Sequence, residues 1–338
     1  MRERAGSVSV VRRTLAHMNA ATEYLMAGDP AIRWQVMADL LDAAPDDVAA
    51  ERARVAHEGW GARLLDEQSD DGLWDGGVYR PGWADESRPM YDAWTATHFS
   101  LQQLVDFGVD PADSRVRDAV ARVRENVRWD HAGEPYFDGE TEPCINGVVL
   151  TIGSYFGQSV EPAVRPLLAG QLSDGGWNCW AERGATVSSL HSTICVLEGL
   201  WDWEQATGGT DAARAARLAG EEYLLERGLF RRRSTGEIID PRFTMASYPV
   251  RWFYDVLRGV EYLRHARPER DRRCAEAVEL IRKKQDSDGL WHLENVHEGP
   301  TLFDMEEVPE GFPSRWVTLR ALRVLRWWDA AAEERADS

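Results

Sequence analysis

The stretch SYPVRWFYDVLRG places Tyr248, Arg251, Trp252 and Asp255 at spacings of three and four, which is one face of a helix. In water an arginine and an aspartate four apart contribute only about 0.3–0.5 kcal/mol as an ion pair. Phe253, Val256, Leu257 and Val260 make the rest of the segment apolar, so the pair is expected to face an enclosed space. There Arg251 would keep Asp255 ionised, and an Asp255 relieved of that partner would be an acid of raised pKa.

Other segments offer further chemistry. In NCWAERGATVSSLHSTIC, Asn178, Cys179 and Glu182 lie on a loop and His191 in the first turn of the following helix. The positive end of that helix disfavours a charged imidazole, which leaves a neutral base or metal ligand. EPCING sets Glu142 at the start of a very apolar helix, as a cap or an acid, with Cys144 and Asn146 just inside. In MYDAWTATH, Trp94 and His98 are four apart; Asp92 reads as a helix cap, His98 as a core histidine and Trp94 as a pocket wall. Near the C-terminus LENVHEGP and SRW add Glu294, Asn295, His297, Arg315 and Trp316, with a surface loop the plainer reading for His297. Asp255, His191, Glu142, Arg251, Tyr248 and Glu182 are thus the catalytic candidates. Trp94, His98, Cys144, Asn146, Asn178, Cys179, Trp252, Arg315 and Trp316 are the substrate-binding ones.

These groups need elements to position them. Hydrophobic periodicity predicts about twelve helices, near 11–27, 30–43, 46–67, 90–107, 112–128, 143–157, 160–171, 187–206, 210–227, 246–265, 269–285 and 313–331. Strand-like alternation is nearly absent. Segment 112–128 carries 8 charged residues and 269–285 carries 10, whereas 90–107 carries 2 and 143–157 none. Helices charged on one side face water, and helices apolar around their circumference are enclosed by protein. Alternation of the two kinds predicts an all-α (α/α)6 toroid, with 30–43, 90–107, 143–157, 187–206, 246–265 and 313–331 as its inner ring. An α-solenoid is the competing architecture, but it has no need of a second layer so poor in charge. The chain is expected to form one domain over 1–338. In such a ring the inner helix N-termini converge on one mouth, where the candidates above gather.

Composition narrows the partners. With 57 acidic and 39 basic residues the 338-residue chain has a formal charge of -18, which repels nucleic acid and anionic membrane surfaces. Four scattered cysteines form no C-x-x-C pair, so no disulfide framework is expected and a reducing cytoplasm is the simplest compartment. No stretch reaches the roughly 18 apolar residues of a membrane span. The 15 tryptophans either close structural turns or line a pocket.

Some of those tryptophans belong to a repeat. Q-x-x-D-G-x-W occurs at Gln68 to Trp74, Gln171 to Trp177 and Gln285 to Trp291, with degenerate turns between at Trp129 to Asp138 and Phe230 to Asp240. Such repetition encodes architecture more often than catalysis. The pattern resembles the Q-W motif of the terpenoid cyclase and protein prenyltransferase superfamily, the squalene-cyclase-like α/α toroids. The resemblance covers roughly 60–331, with 1–45 supplying helices that close the ring. It implies that each glutamine ties one helix end to the next while each tryptophan packs over the turn.

The resemblance also implies activities, which the motifs divide. The Asp-x-Asp-Asp acid of the superfamily's class II cyclases is missing, since Asp70, Asp71, Asp286 and Asp288 belong to the structural turns. The prenyltransferase Asp-x-Cys zinc pair is missing from the loop after Trp177, and there is no Cys-His dipeptide of the lanthionine cyclase kind. The expected function is acid-base chemistry on a hydrophobic, isoprenoid-like small molecule in a central cavity. Trp94, Trp252 and Trp316 would stabilise positive charge at about 0.5–2 kcal/mol each, and no cofactor is required. A zinc enzyme using Cys144, Cys179 and His191 is an alternative. So are a glycoside hydrolase or polysaccharide lyase, with Asp92 or Glu142 opposite Asp255, and a non-catalytic binding module.

Overall fold

The computed structural model describes residues 19–85, 93–267, 269–306 and 308–336. Asp92 and the first part of the helix expected at 11–27 lie outside them. The described residues hold thirteen α-helices and no named strand. In chain order they are α1 (Ala20–Met26), α2 (Pro30–Asp39), α3 (Pro45–Ala53), α4 (Gly59–Asp66), α5 (Thr97–Phe107), α6 (Ser114–Asn126), α7 (Pro143–Tyr155), α8 (Glu161–Ala169), α9 (Leu190–Thr207), α10 (Asp211–Leu225), α11 (Val256–Ala266), α12 (Ala275–Lys283) and α13 (Arg315–Ala336).

They form the expected two-layered α/α toroid. Helices α2, α5, α7, α9, α11 and α13 make the inner ring, and α13 packs on both α1 and α2 to close it. Between α2 and α5 the seam is polar: Trp34 Nε1 donates to the Phe107 carbonyl at 2.9 Å, and Gln35 Nε2 to that of Asp106 at 3.1 Å. Closest of all is α7 against α9. Gly147 and Gly199 make this possible, because a Cβ on Gly199 would meet the Gly147 carbonyl oxygen at 2.1 Å.

Three expected helices differ from their predicted bounds. The one expected at 90–107 begins only at Thr97, which leaves Trp94 on the preceding turn and off the helix face that carries His98. The helix expected at 46–67 is two, α3 and α4. Gly59 takes φ +64 so that the Asp29 carboxylate can approach it and accept the Trp60 amide at 2.9 Å, a local bond that outweighs helical continuity. The helix expected at 246–265 begins only at Val256. Pro249, a left-handed Arg251 at φ 53 and the Asp255 cap hold 247–255 in a loop.

The three Q-W turns share one geometry. Trp74, Trp177 and Trp291 are fully buried, and their indole N–H groups donate to the carbonyls of Leu64, Leu167 and Ile281, each at 2.7 Å. Those carbonyls belong to the last turn of the preceding outer helix, whose acceptors have no partner within the helix. Each tryptophan amide donates to a threonine hydroxyl at the start of the next inner helix: Thr97 at 3.1 Å, Thr193 at 3.0 Å and Thr318 at 3.0 Å. Gln68 and Gln171 bond both their own turn and the neighbouring outer helix, at the Ala119 and Ala216 carbonyls. For Gln285 only the bond within its own turn, to Gly289, joins described residues.

Candidate active site

Every turn from an outer to an inner helix lies at one end of the ring, so the loops before α5, α7, α9, α11 and α13 crowd together there. Rings fill that end. Trp252 stacks on Phe253 and Phe253 on His297, both with centroids 3.8 Å apart, and His191 packs edgewise on the first two. Trp94 is buried edgewise against Phe99, donates its N–H to the Glu298 carbonyl at 3.0 Å, and lies beneath the Arg251 guanidinium at 5.4 Å. His98 is buried beside Tyr136, its Nδ1 3.1 Å from the hydroxyl, and burial pushes its pKa down to about 3.

The expected Arg251–Asp255 pair does not form. Asp255 caps α11 by accepting the Arg258 amide at 2.7 Å, and it also accepts the Ser247 hydroxyl at 2.6 Å. Its carboxylate is spent on backbone and hydroxyl donors because the segment is a loop and not a helix, which removes the four-residue spacing. Arg251 is buried instead over Trp94, and burial lowers its pKa to about 10. His191 is neutral, its Nδ1 accepting the Tyr254 amide at 2.8 Å, with burial and then Arg258 pushing its pKa down to about 4.

The remaining candidates divide among structural tasks. Asn146 is fully buried and makes two 2.6 Å bonds to the Glu140 backbone. Asn178 ties its loop to the Val187 carbonyl, and Glu182 sits exposed on a short turn. Glu294 pairs with Lys284, Asn295 bridges to Ser247, and Arg315 lies over the Tyr24 ring. Glu142 and Cys144 meet Cys179, away from His191, whose Nδ1 is already engaged. The expected Cys144, Cys179 and His191 ligand set is therefore not assembled.

The central cavity, of about 290 Å³, lies deeper and toward the opposite end of the ring. Its floor is the stacked pair Tyr248 and Trp316, with centroids 4.5 Å apart, and Gln103 donates to the Tyr248 hydroxyl at 2.7 Å. Of the sequence-predicted site residues, only these two line it. Its walls come from the middle and later turns of the inner helices, and its rim includes the exposed His265. The lining is mixed: beside the apolar Val105, Val148, Val250, Trp201 and Tyr262 stand Asp106, Glu198, Asp202, Arg258, Glu261, Arg320 and Arg323.

Most of these charges are paired. Arg258 donates to both oxygens of Glu198, at 2.9 and 2.5 Å, the bidentate geometry that suits a planar guanidinium. Glu261 takes Arg320 at 2.6 Å and Arg323 at 3.5 Å. Burial alone would raise its pKa, but the two arginines hold it down to about 2. Asp106 and Asp202 enter no ion pair among the described residues. Burial pushes both up to about 7, against weak opposition from Arg320 at Asp106 and from the Thr151 hydroxyl at Asp202. Two carboxyls in one chamber therefore hold protons near neutral pH, the condition for a general acid.

Sequence reading missed these groups because it looked to helix starts. The signal was present as isolated charges inside otherwise apolar helices: Asp106 in THFSLQQLVDF, and Glu198 and Asp202 four apart in VLEGLWDWE.

No protein-family profile matches the chain, and no curated protein matches it. Among solved structures the chain is similar to a protein from Actinoplanes at 17% identity and TM-score 0.44, covering 89% of this chain and 90% of that one. It is also similar to the type II terpene cyclase MstE from Scytonema, at 16% identity and TM-score 0.42, covering 90% and 88%. A variant of that cyclase in complex with geranylgeranyl dihydroxybenzoate gives 16% identity and TM-score 0.39, covering 88% and 86%. These likenesses are loose, and the toroid rests on this chain's own helix order and turns. Through its three Q-W turns the fold resembles the terpenoid-cyclase toroid. No helix among the described residues is long and apolar enough to cross a membrane.

Proposed function

We propose that the chain is a terpenoid-cyclase-like enzyme that carries out acid-base chemistry on a small, largely apolar molecule in the central cavity. The observation that carries this reading is the pair of unpaired carboxyls, Asp106 and Asp202, in a chamber that also presents Trp201, Tyr248, Tyr262 and Trp316. A protonated carboxyl delivers a proton to an alkene or leaving group, and aromatic faces lower the cost of the resulting positive charge. Glu261 is held as a carboxylate by Arg320 and Arg323, and Glu198 is ion-paired with Arg258.

The volume, at the low end of ligand pockets, favours geranyl- or farnesyl-sized bodies over longer chains. The charged walls favour a polar end group. They also support a second reading, hydrolysis or elimination on a sugar, in which the two carboxyls act as acid and base and Trp201 and Trp316 contact the ring. Incubation in D2O with geranyl- and farnesyl-substituted phenols and prenyl alcohols, followed by mass spectrometry, tests the first reading. It predicts deuterium in a product, which Asp202→Asn abolishes. Unchanged prenyl substrates together with turnover of a glycoside panel would establish the second reading, and silence in both would remove the enzyme assignment.

A further inference from the structure

A second cluster lies at the plugged end, apart from the chamber and not used by its chemistry. Cys144 is the second residue of α7, Glu142 is the residue preceding that helix, and Cys179 sits on the loop before α9. Their ligand atoms all lie within 4.8 Å of one another, with Cys144 Sγ 2.6 Å from Cys179 Sγ and 3.8 Å from Glu142 Oε2. Glu142 occupies the cap position of α7 but makes no side-chain capping bond; its carboxylate turns to the thiols instead. Ser192, in the first turn of α9, fixes that loop by accepting the Cys179 amide at 3.1 Å, and its hydroxyl lies 3.3 Å from Cys179 Sγ.

This arrangement is difficult to explain as packing. A carboxylate beside two thiols disfavours the thiolate of each, and no ion pair among the described residues neutralises Glu142. A pair serving only as a disulfide has no use for the carboxylate. A cation removes the conflict. The start of α7 contributes a positive helix end, which favours thiolate at Cys144, and Ser192 is placed to donate to the Cys179 sulfur.

We propose that Cys144, Cys179 and Glu142 bind a zinc ion, with the fourth coordination position left to water. Two thiolates and one carboxylate with an open position are a fitting donor set for that ion. Tetrahedral zinc at about 2.3 Å from each sulfur separates the sulfurs by about 3.8 Å, so the pair opens by about 1 Å as the ion enters. Cys179 and Glu142 are both reached by solvent, which gives the ion a path. Ser192 is a positioning residue. The inference is independent of the acid-base reading of the chamber.

The test uses the full chain, reduced and freed of metal, titrated with cobalt(II) and with zinc. Cobalt is expected to give thiolate-to-metal absorption saturating at one ion per chain and displaced by zinc. Zinc is expected to protect two of the four thiols from alkylation. Cys144→Ser and Cys179→Ser abolish the absorption, and Ser192→Ala weakens zinc binding by about ten- to a hundredfold while leaving its stoichiometry unchanged. The native titration needs no variant, so a variant that fails to fold does not decide the matter. Absence of the cobalt absorption in the native chain overturns the proposal. So does absorption that survives in both folded cysteine variants.

Discussion

The two ends of the ring are built from the same helices and treat charge in opposite ways. At the end where outer helices turn into inner ones, loops 247–255 and 293–306 bring rings together, and central titratable groups are neutralised by burial, as with His98 and His191, or used up in backbone bonds, as with Asp255. At the other end the inner helices part around a chamber in which Glu198 and Glu261 are paired while Asp106 and Asp202 are not. The difference teaches that a helix N-terminus, though electrostatically inviting, is a site only where the loops leave it open. Here the loops close the end around its stacked rings, leaving solvent a path only to the cluster of Glu142 and Cys179, and acid-base chemistry moves down the helices to the carboxyls the loops do not reach.

Four expectations sharpen or break that contrast. The largest concerns the turns on which both ends depend. Trp177→Ala removes a fully buried indole and its bond to Leu167, and is expected to cost about 3–5 kcal/mol in denaturant unfolding. Next, Asp202→Asn is expected to lower turnover of any substrate by about a hundredfold or more with thermal stability retained. His98→Gln at the plugged end should leave kcat within about twofold, because a plug residue lies outside the range of general acid-base effects. Equal losses in the two variants would erase the distinction between the ends.

A smaller effect follows from proton linkage. Asp106 and Asp202 bind their protons more tightly in the folded chain, near pH 7, than their ordinary value of 3.8. The folded state therefore carries more protons between those values, and its stability falls as pH rises from about 4 to about 7, then levels off. Asn at either position removes that term, so each variant should gain about 1–3 kcal/mol relative to the parent on going from pH 4 to pH 8. A constant difference across that range contradicts the raised values. Smallest of all is the contribution of a turn glutamine: Gln171→Ala loses its bonds to the Gly175 and Ala216 carbonyls and should cost about 1–2 kcal/mol. Chemical denaturation of the variant beside the parent decides it.

The sequence showed the ring and hid the chamber, for physical reasons. Three identical Q-x-x-D-G-x-W turns spaced around the chain announce a repeated connection, and the alternation of charged and apolar helices separates outer from inner. Thr97, Thr193 and Thr318, which complete the same turns, escaped notice because a single hydroxyl carries no pattern until the three turns are superposed. Asp106 was one of only two charges in segment 90–107, and averaging over the helix read it as an exception to apolarity. Its meaning depends on which end of the ring is closed. That is decided by the stacking of Trp252, Phe253 and His297 across loops distant in sequence, for which periodicity offers no signal.

The claim at the centre of this account is that the chamber holds protonated carboxyls at neutral pH. Selective 13C labelling of aspartate side chains, followed by NMR titration of the parent with Asp106→Asn and Asp202→Asn for assignment, measures it without knowledge of the substrate. Two carboxyl resonances titrating near pH 7, one lost in each variant, are the predicted result. Titration of both near their ordinary value of 3.8 would contradict it.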